Sequence, residues 1–138
     1  MTSEQIAIVK KSWKSLQGIS PELLGDVFYS YLFLKNPSLE KMFKTSKEVQ
    51  AKKLIDMLDI VVRRLDNLEE LMDEIHAMAK RHVEYGVKPK HYVQVGNALI
   101  WTLKTALGKD WKEEVSESWT ACYQDLTQVM LETGICIG

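Results

Sequence analysis

The sequence predicts an all-α protein. Three observations carry this prediction. Only seven glycines and three prolines interrupt 138 residues. No Asn-Gly or Asp-Gly pair stands between alternating runs, as a tight hairpin would favour. Apolar residues recur every three or four positions through most of the chain, the period of a helix with one buried face.

Each helix has its own start and stop signals. Thr2 and Gln5 have capping-box spacing, in which two side chains satisfy otherwise unpaired backbone N–H groups, and they open a helix to about Leu16. Ser20, Pro21 and Glu22 supply a cap, a first-turn proline and a first-turn acid for a helix to about Lys35. Pro37 ends that helix and begins a short turn to Phe43. Thr45 and Glu48 repeat the capping-box spacing ahead of a helix to about Leu65, and Asn67 opens another to about Tyr85, closed by Gly86. Pro89 begins a helix that Gly108 terminates. The last helix runs from about Lys112 to Glu132, with Gly134 beyond it.

A chain of this length with 46% hydrophobic content buries roughly 68% of its unfolded surface, enough for one core and too little for two. One domain over residues 1–138 is expected. Eighteen Lys and Arg against nineteen Asp and Glu leave a net charge of -1, so neither nucleic acid nor an anionic membrane is an expected partner. No charge-free apolar stretch approaches the roughly 20 residues of a spanning helix, and the start of the chain lacks a signal core; a cytoplasmic protein is expected. Cys122 and Cys136 fit neither a metal-ligand spacing nor a disulfide framework and read as free thiols, Cys122 in the core beside Trp119 and Leu126, Cys136 in a short tail. Lys52, Lys53, Arg63 and Arg64 alternate with acids and read as solvated helix surface.

Two polar residues stand on stripes that are otherwise apolar. Gln50 lies at the edge of the face formed by Leu54, Leu58, Val61 and Leu65, and two readings fit: an inward amide, or a glutamine at the rim with its head in water. His82 ends the stripe Leu68, Leu71, Met72, Ile75, Met78 and Ala79. It is either a core histidine with both ring nitrogens satisfied or a metal ligand. No second His, Cys or carboxylate shares its face at short spacing, which speaks against an all-protein zinc or di-iron site. A single axial imidazole is enough where a porphyrin supplies the other four nitrogens, and without a C-x-x-C-H motif such a haem is held non-covalently. His76 and His91 read as structural or solvated. Nucleotide-binding glycine loops, H-E-x-x-H and G-x-S-x-G are absent.

The run Phe28-Tyr29 through Asn36-Pro37 and Phe43, then Gln50 and Leu54, then Lys80-Arg81-His82 and Gly86-Val87-Lys88-Pro89 through His91-Tyr92 and Gly96, resembles the globins. The likeness covers essentially the whole chain and is closest to single-domain bacterial haemoglobins and the globin domain of flavohaemoglobins. It implies a globin fold of about six to seven helices around a haem pocket. It further implies haem b with its iron, His82 as the proximal ligand, Phe43 packed on the haem, and Tyr29 and Gln50 as the distal polar pair. By the same likeness Leu54 is the distal wall, Val87 and Val95 touch the porphyrin edge, and Lys53 reaches a propionate or stays solvated. Tyr92 matches a tyrosine that in flavohaemoglobins supports the proximal histidine together with a glutamate of the last helix; the aligned position here is Gly134, with Glu132 two residues earlier. The chain ends just after the last globin helix, so no flavin or nicotinamide domain is expected and an external reductase is implied.

The functional expectation is reversible, high-affinity dioxygen binding, in which the Tyr29 and Gln50 donors slow ligand release. Other small gaseous or anionic ligands would use the same pocket, and the chain is expected as a monomer or weak homodimer. Nitric oxide dioxygenation with an external reductase is the alternative, and a cofactor-free helical interaction domain is a third class.

Overall fold

The computed structural model describes residues 1–43, 46–84 and 88–137, and within them every side chain except those of residues 47, 68, 82–84, 89 and 131–137. Among the described residues there is no strand. The described residues form the α-helices α1 (Ser3–Ser15), α2 (Pro21–Lys35), α3 (Lys47–Arg63), α4 (Met72–Glu84), α5 (Pro89–Leu107) and α6 (Glu113–Ile137). Short 3-10 segments follow α1, α2, α3 and α5.

Local chemistry sets most of the ends. Thr2 Oγ1 accepts from the Gln5 N–H at 3.1 Å while Gln5 Oε1 accepts from the Thr2 N–H at 3.0 Å, the reciprocal bonding of a capping box. Ser20 Oγ accepts from the Leu23 N–H, with Pro21 in the first turn of α2. Pro37 opens a 3-10 turn, Pro37–Met42, that ends at Phe43. Gly108 closes α5 with φ +56°, a backbone conformation that an L side chain resists.

Three boundaries differ from the sequence reading. The cap of α3 is Ser46, whose Oγ accepts from the Val49 N–H at 3.3 Å; Thr45 lies outside the described residues. Asn67 does not open α4. With φ -147° and ψ 57° it sits inside a 3-10 segment, Leu65–Leu71, and its amide donates to Glu70 at 2.7 Å, so the local side-chain bond holds the chain out of the α-helix until Met72. At the far end α6 continues through Gly134 to Ile137, because glycine costs a helix only about 1 kcal/mol and is no obligatory stop. Cys136 therefore belongs to the helical backbone rather than to a tail. Tyr85, Gly86 and Val87 lie outside the described residues.

Packing divides the core in two. The larger part joins α1, α2, α3, α5 and the first half of α6 through Val9, Phe28, Leu32, Leu58, Leu103 and Trp119. Trp13 and Trp119 stack obliquely at 5.9 Å between ring centres. Their indole N–H groups are satisfied, Trp13 by Asp59 at 3.0 Å and Trp119 by Ser12 at 2.8 Å, so these rings bury large apolar areas without orphaning a donor. The smaller part joins α4 to the second half of α6: Leu71, Ile75 and Ala79 pack on Leu126 and Met130. Helix α4 rests chiefly on α6 and on the 3-10 segment before it, whereas α2 is held by both α3 and α5.

Candidate functional site

Tyr29 is the best-defined member of the site. It projects from the middle of α2, is 4% exposed, and is boxed by aromatic rings: Phe28 edge-on at 4.8 Å, Phe43 edge-on at 5.4 Å and Phe33 at 5.8 Å. Burial pushes its phenol up to about 12, so the group is a neutral O–H donor at any physiological pH. That O–H donates to the backbone carbonyl of Gln50 in the first turn of α3, at 3.3 Å. Most O–H···O bonds are nearer 2.7–2.8 Å, so this one is weak and readily exchanged for a better acceptor.

Two of the residues named with it converge on the same place. Phe43, at the end of the turn after Pro37, packs edge-on against Tyr29 and at 5.4 Å against Phe33. Gln50 is brought to Tyr29 by the close crossing of α2 and α3. A Cβ on Gly25 would fall on the Cβ of Ala51 and within 2.8 Å of its Cα, so only glycine admits this approach. Gln50 is half-buried. Leu54, one turn further along α3, is half-buried and lines a small apolar cavity with Trp13, Phe28, Leu58 and Leu99. Lys53 is exposed.

On the other side, position 82 lies in the last turns of α4, one turn beyond Met78 and Ala79 of the smaller core; the His82 side chain and Val87 lie outside the described residues. Tyr92, in the first turn of α5, packs half-buried against that smaller core, and burial raises its phenol above the ordinary value. Val95 is half-buried against the larger core. His91 is structural: its Nδ1 accepts from the Lys88 N–H at 2.9 Å and ties off the start of α5.

Sequence reasoning missed Tyr123. Its hydroxyl donates to the Tyr92 carbonyl at 2.6 Å, and its ring fills the notch left by Gly96, where a Cβ would come within 2.5 Å of the ring. A glycine inside an otherwise helical run was the available signal, since it marks close approach by another chain segment. Gln94 was missed as well. Its Oε1 is buried without a hydrogen-bond partner among the described residues.

A flat apolar group bearing a metal fits these residues. Phe43, Leu54, Val95 and Tyr92 are apolar or aromatic yet only half-covered, although they sit on elements whose neighbouring positions are fully buried. The donor set suits an iron porphyrin: one histidine position on α4, and a phenol and an amide on α2 and α3. Among the described residues no three of His, Cys, Asp or Glu come together as an all-protein metal site would need.

Comparison with known proteins agrees with this arrangement. The family model described as Globin matches residues 26–130. A flavohemoprotein of Vibrio cholerae is 28% identical over 135 residues, which are 96% of this chain but 34% of that protein, so the chain spans about a third of that relative's length. A bacterial globin structure from Campylobacter jejuni superimposes with a TM-score of 0.85 at 27% identity, covering 99% of this chain and 98% of that one. A carbene transferase engineered from a Rhodothermus marinus protein named for nitric oxide dioxygenase gives 0.89 at 25% identity, covering 99% and 95%. With the helices and the matched segment in agreement, the chain belongs to the globin family, whose cofactor is haem with its iron.

Proposed function

We propose that the chain is a haem protein that binds dioxygen reversibly and releases it slowly, with His82 holding the iron on one face and Tyr29 and Gln50 holding the ligand on the other. The observation that carries this reading is Tyr29 itself: a buried, permanently neutral phenol whose O–H is aimed at the first turn of α3 by a long, weak bond. When bound, the haem iron supplies an open coordination position and a one-electron redox couple.

The remaining work falls to the chain. Phe43, Leu54 and Val95 exclude water and so strengthen every polar contact inside the slot. With a ligand in place, Tyr29 would exchange its contact to the Gln50 carbonyl for donation to the ligand's oxygen, where negative charge would collect. The Gln50 amide N–H group supplies the second donor. A hydrogen bond to a charged acceptor contributes about 1.5–3 kcal/mol, which slows ligand escape roughly 10- to 100-fold. Contacts from Lys53 to a propionate and from Val87 to the porphyrin edge belong to the same proposal. So do a cytoplasmic setting, a single globin domain over 1–138, and a separate reductase that restores the iron.

The test is the visible spectrum of the reduced protein with and without dioxygen, for the wild type and His82→Ala. A Soret band that moves with dioxygen, and that is lost or altered in shape in the variant, is expected. Intact colour and unaltered coordination in His82→Ala would overturn the assignment. Similarity to the R. marinus protein favours a second reading, conversion of nitric oxide and dioxygen to nitrate. Nitrate formed over many turnovers with an added reductant selects it over simple storage.

A further inference from the structure

The charges of this chain are segregated along the sequence. Residues 41–53 carry five lysines and one glutamate, and residues 80–90 carry four basic residues and one glutamate. These two segments thus hold half of the eighteen cations and two of the nineteen acids, so a chain with a net charge of -1 is strongly positive in two short stretches and strongly negative elsewhere. Both stretches hold residues that the proposed function assigns to the haem site. The first includes Phe43, Gln50 and Lys53, the second includes His82 and Val87. Side chains that face a flat cofactor from both sides leave their exposed neighbours around its open edge. Lys41, Lys52, Lys80, Arg81, Lys88 and Lys90 are all exposed. None of them takes part in the ion pairs found among the described residues, which join Met1 to Asp125, Lys10 to Asp66, Asp59 to Arg63 and Arg64 to Glu70.

We propose that this cationic rim is the docking surface for an acidic electron-transfer protein that reduces the haem iron. The inference rests on the haem reading above and adds to it where the donor binds and what chemistry that donor's surface has. Charge complementarity selects the occupant: a positive ring about the electron entry point attracts an acidic face, while the negative remainder of the molecule turns any other approach away. One electron leaves the donor's reduced flavin or iron–sulfur centre and enters the ferric haem, the donor is oxidised by one unit, the iron is reduced by one, and no bond is formed or broken.

The experiment uses the haem-loaded protein and a reduced [2Fe–2S] ferredoxin as the acidic probe, with affinity measured by titration calorimetry and electron transfer by stopped flow. Wild type should bind at about 20 mM salt and lose on the order of tenfold or more in affinity by about 200 mM, because screening shortens the reach of exposed charges. Reversing two rim charges, Lys52→Glu with Lys90→Glu, should weaken binding and slow reduction at least about tenfold. Reversing two charges far from the slot, Lys109→Glu with Lys112→Glu, makes the same net change and should alter both by less than about twofold. Equal effects from the two pairs, or none from either, overturn the proposal. So does tighter rim-dependent binding to phosphatidylglycerol vesicles than to the ferredoxin, which would make the rim a membrane contact. A wild-type protein without a Soret band sinks the haem reading instead, and that result is read before any probe is added.

Discussion

On the proposed function, single side chains set the chemistry of the haem site, and Tyr29 sets most of it. In Tyr29→Phe the ring still fills the box made by Phe28, Phe33 and Phe43, so the fold should survive with a loss of about 0.5–1.5 kcal/mol for one hydrogen bond. The dioxygen dissociation rate should rise roughly 10- to 100-fold; a rate within about twofold of wild type in stopped flow would show that the phenol does not touch the ligand. Because burial holds this phenol near 12, the wild-type rate should be flat from about pH 6 to 10. The same shift acts on stability. Above the ordinary tyrosine value near 10 the unfolded chain ionises first, so this residue's contribution to stability falls as pH climbs from about 10 to 12, a slope that Tyr29→Phe should remove. Gln94 poses the opposite problem, a buried acceptor without a partner among the described residues. Gln94→Met keeps the volume and removes the orphan, so thermal unfolding should show a gain of up to about 1–3 kcal/mol, and a clear loss would mean that the amide has a partner after all. Cys122, buried against Trp119 and with its thiol pushed up to about 11 chiefly by that burial and further by Asp125, should resist iodoacetamide at pH 7.5 until the protein is unfolded.

At the scale of helices, the crossing of α2 over α3 decides whether Tyr29 and Gln50 meet. Gly25→Ala would drive a methyl group into Ala51, and relief requires α3 to move away from α2. Overpacking of this kind costs about 1–3 kcal/mol, and the same shift carries Gln50 and Leu54 with it, so ligand release should change along with stability. Gly18→Ala, where an added Cβ has open space, is the matched control and should change neither. Much of this level was legible in the sequence, because capping and proline signals are local: Thr2 with Gln5, Ser20 with Pro21, and Gly108 all act where their spacing put them. Asn67 misled because its amide had another partner within reach, Glu70. Gly134 misled because glycine permits a helix end without forcing one. Contacts between distant residues were beyond local pattern. The notch of Gly96 for Tyr123 joins positions on two helices, and the bond from Tyr29 to Gln50 depends on a crossing whose only sequence trace is Gly25. Even so, Tyr29, Phe43, Gln50 and Leu54 could be named together in advance from the resemblance to globin sequences, and the structure brings Phe43 and Gln50 to Tyr29.

The whole molecule carries the signature of a fold completed by its cofactor. Among the described residues, helices α1, α2, α3 and α5 share one large core, while α4 packs on α6 and on the segment that precedes it. If the half-covered faces of Phe43, Leu54, Val95 and Tyr92 are the walls of the haem site, the haem is the missing layer between the two cores, and α4 depends on it more than any other helix does. Ligand linkage then sets the size of the effect: a cofactor at about a thousand times its dissociation constant adds about 4 kcal/mol. In a chain of this length that corresponds to roughly 10–20 °C in melting temperature. The gain should also be uneven. Amide hydrogen exchange followed by mass spectrometry should show α4 losing on the order of 10- to 100-fold more protection than α2 or α5 when haem is removed, since α4 carries the histidine proposed to hold the iron and would lose that tie with the cofactor. Equal losses across all helices would mean that the two cores already form one cooperative unit, and that the cofactor enters a finished slot instead of closing an open one.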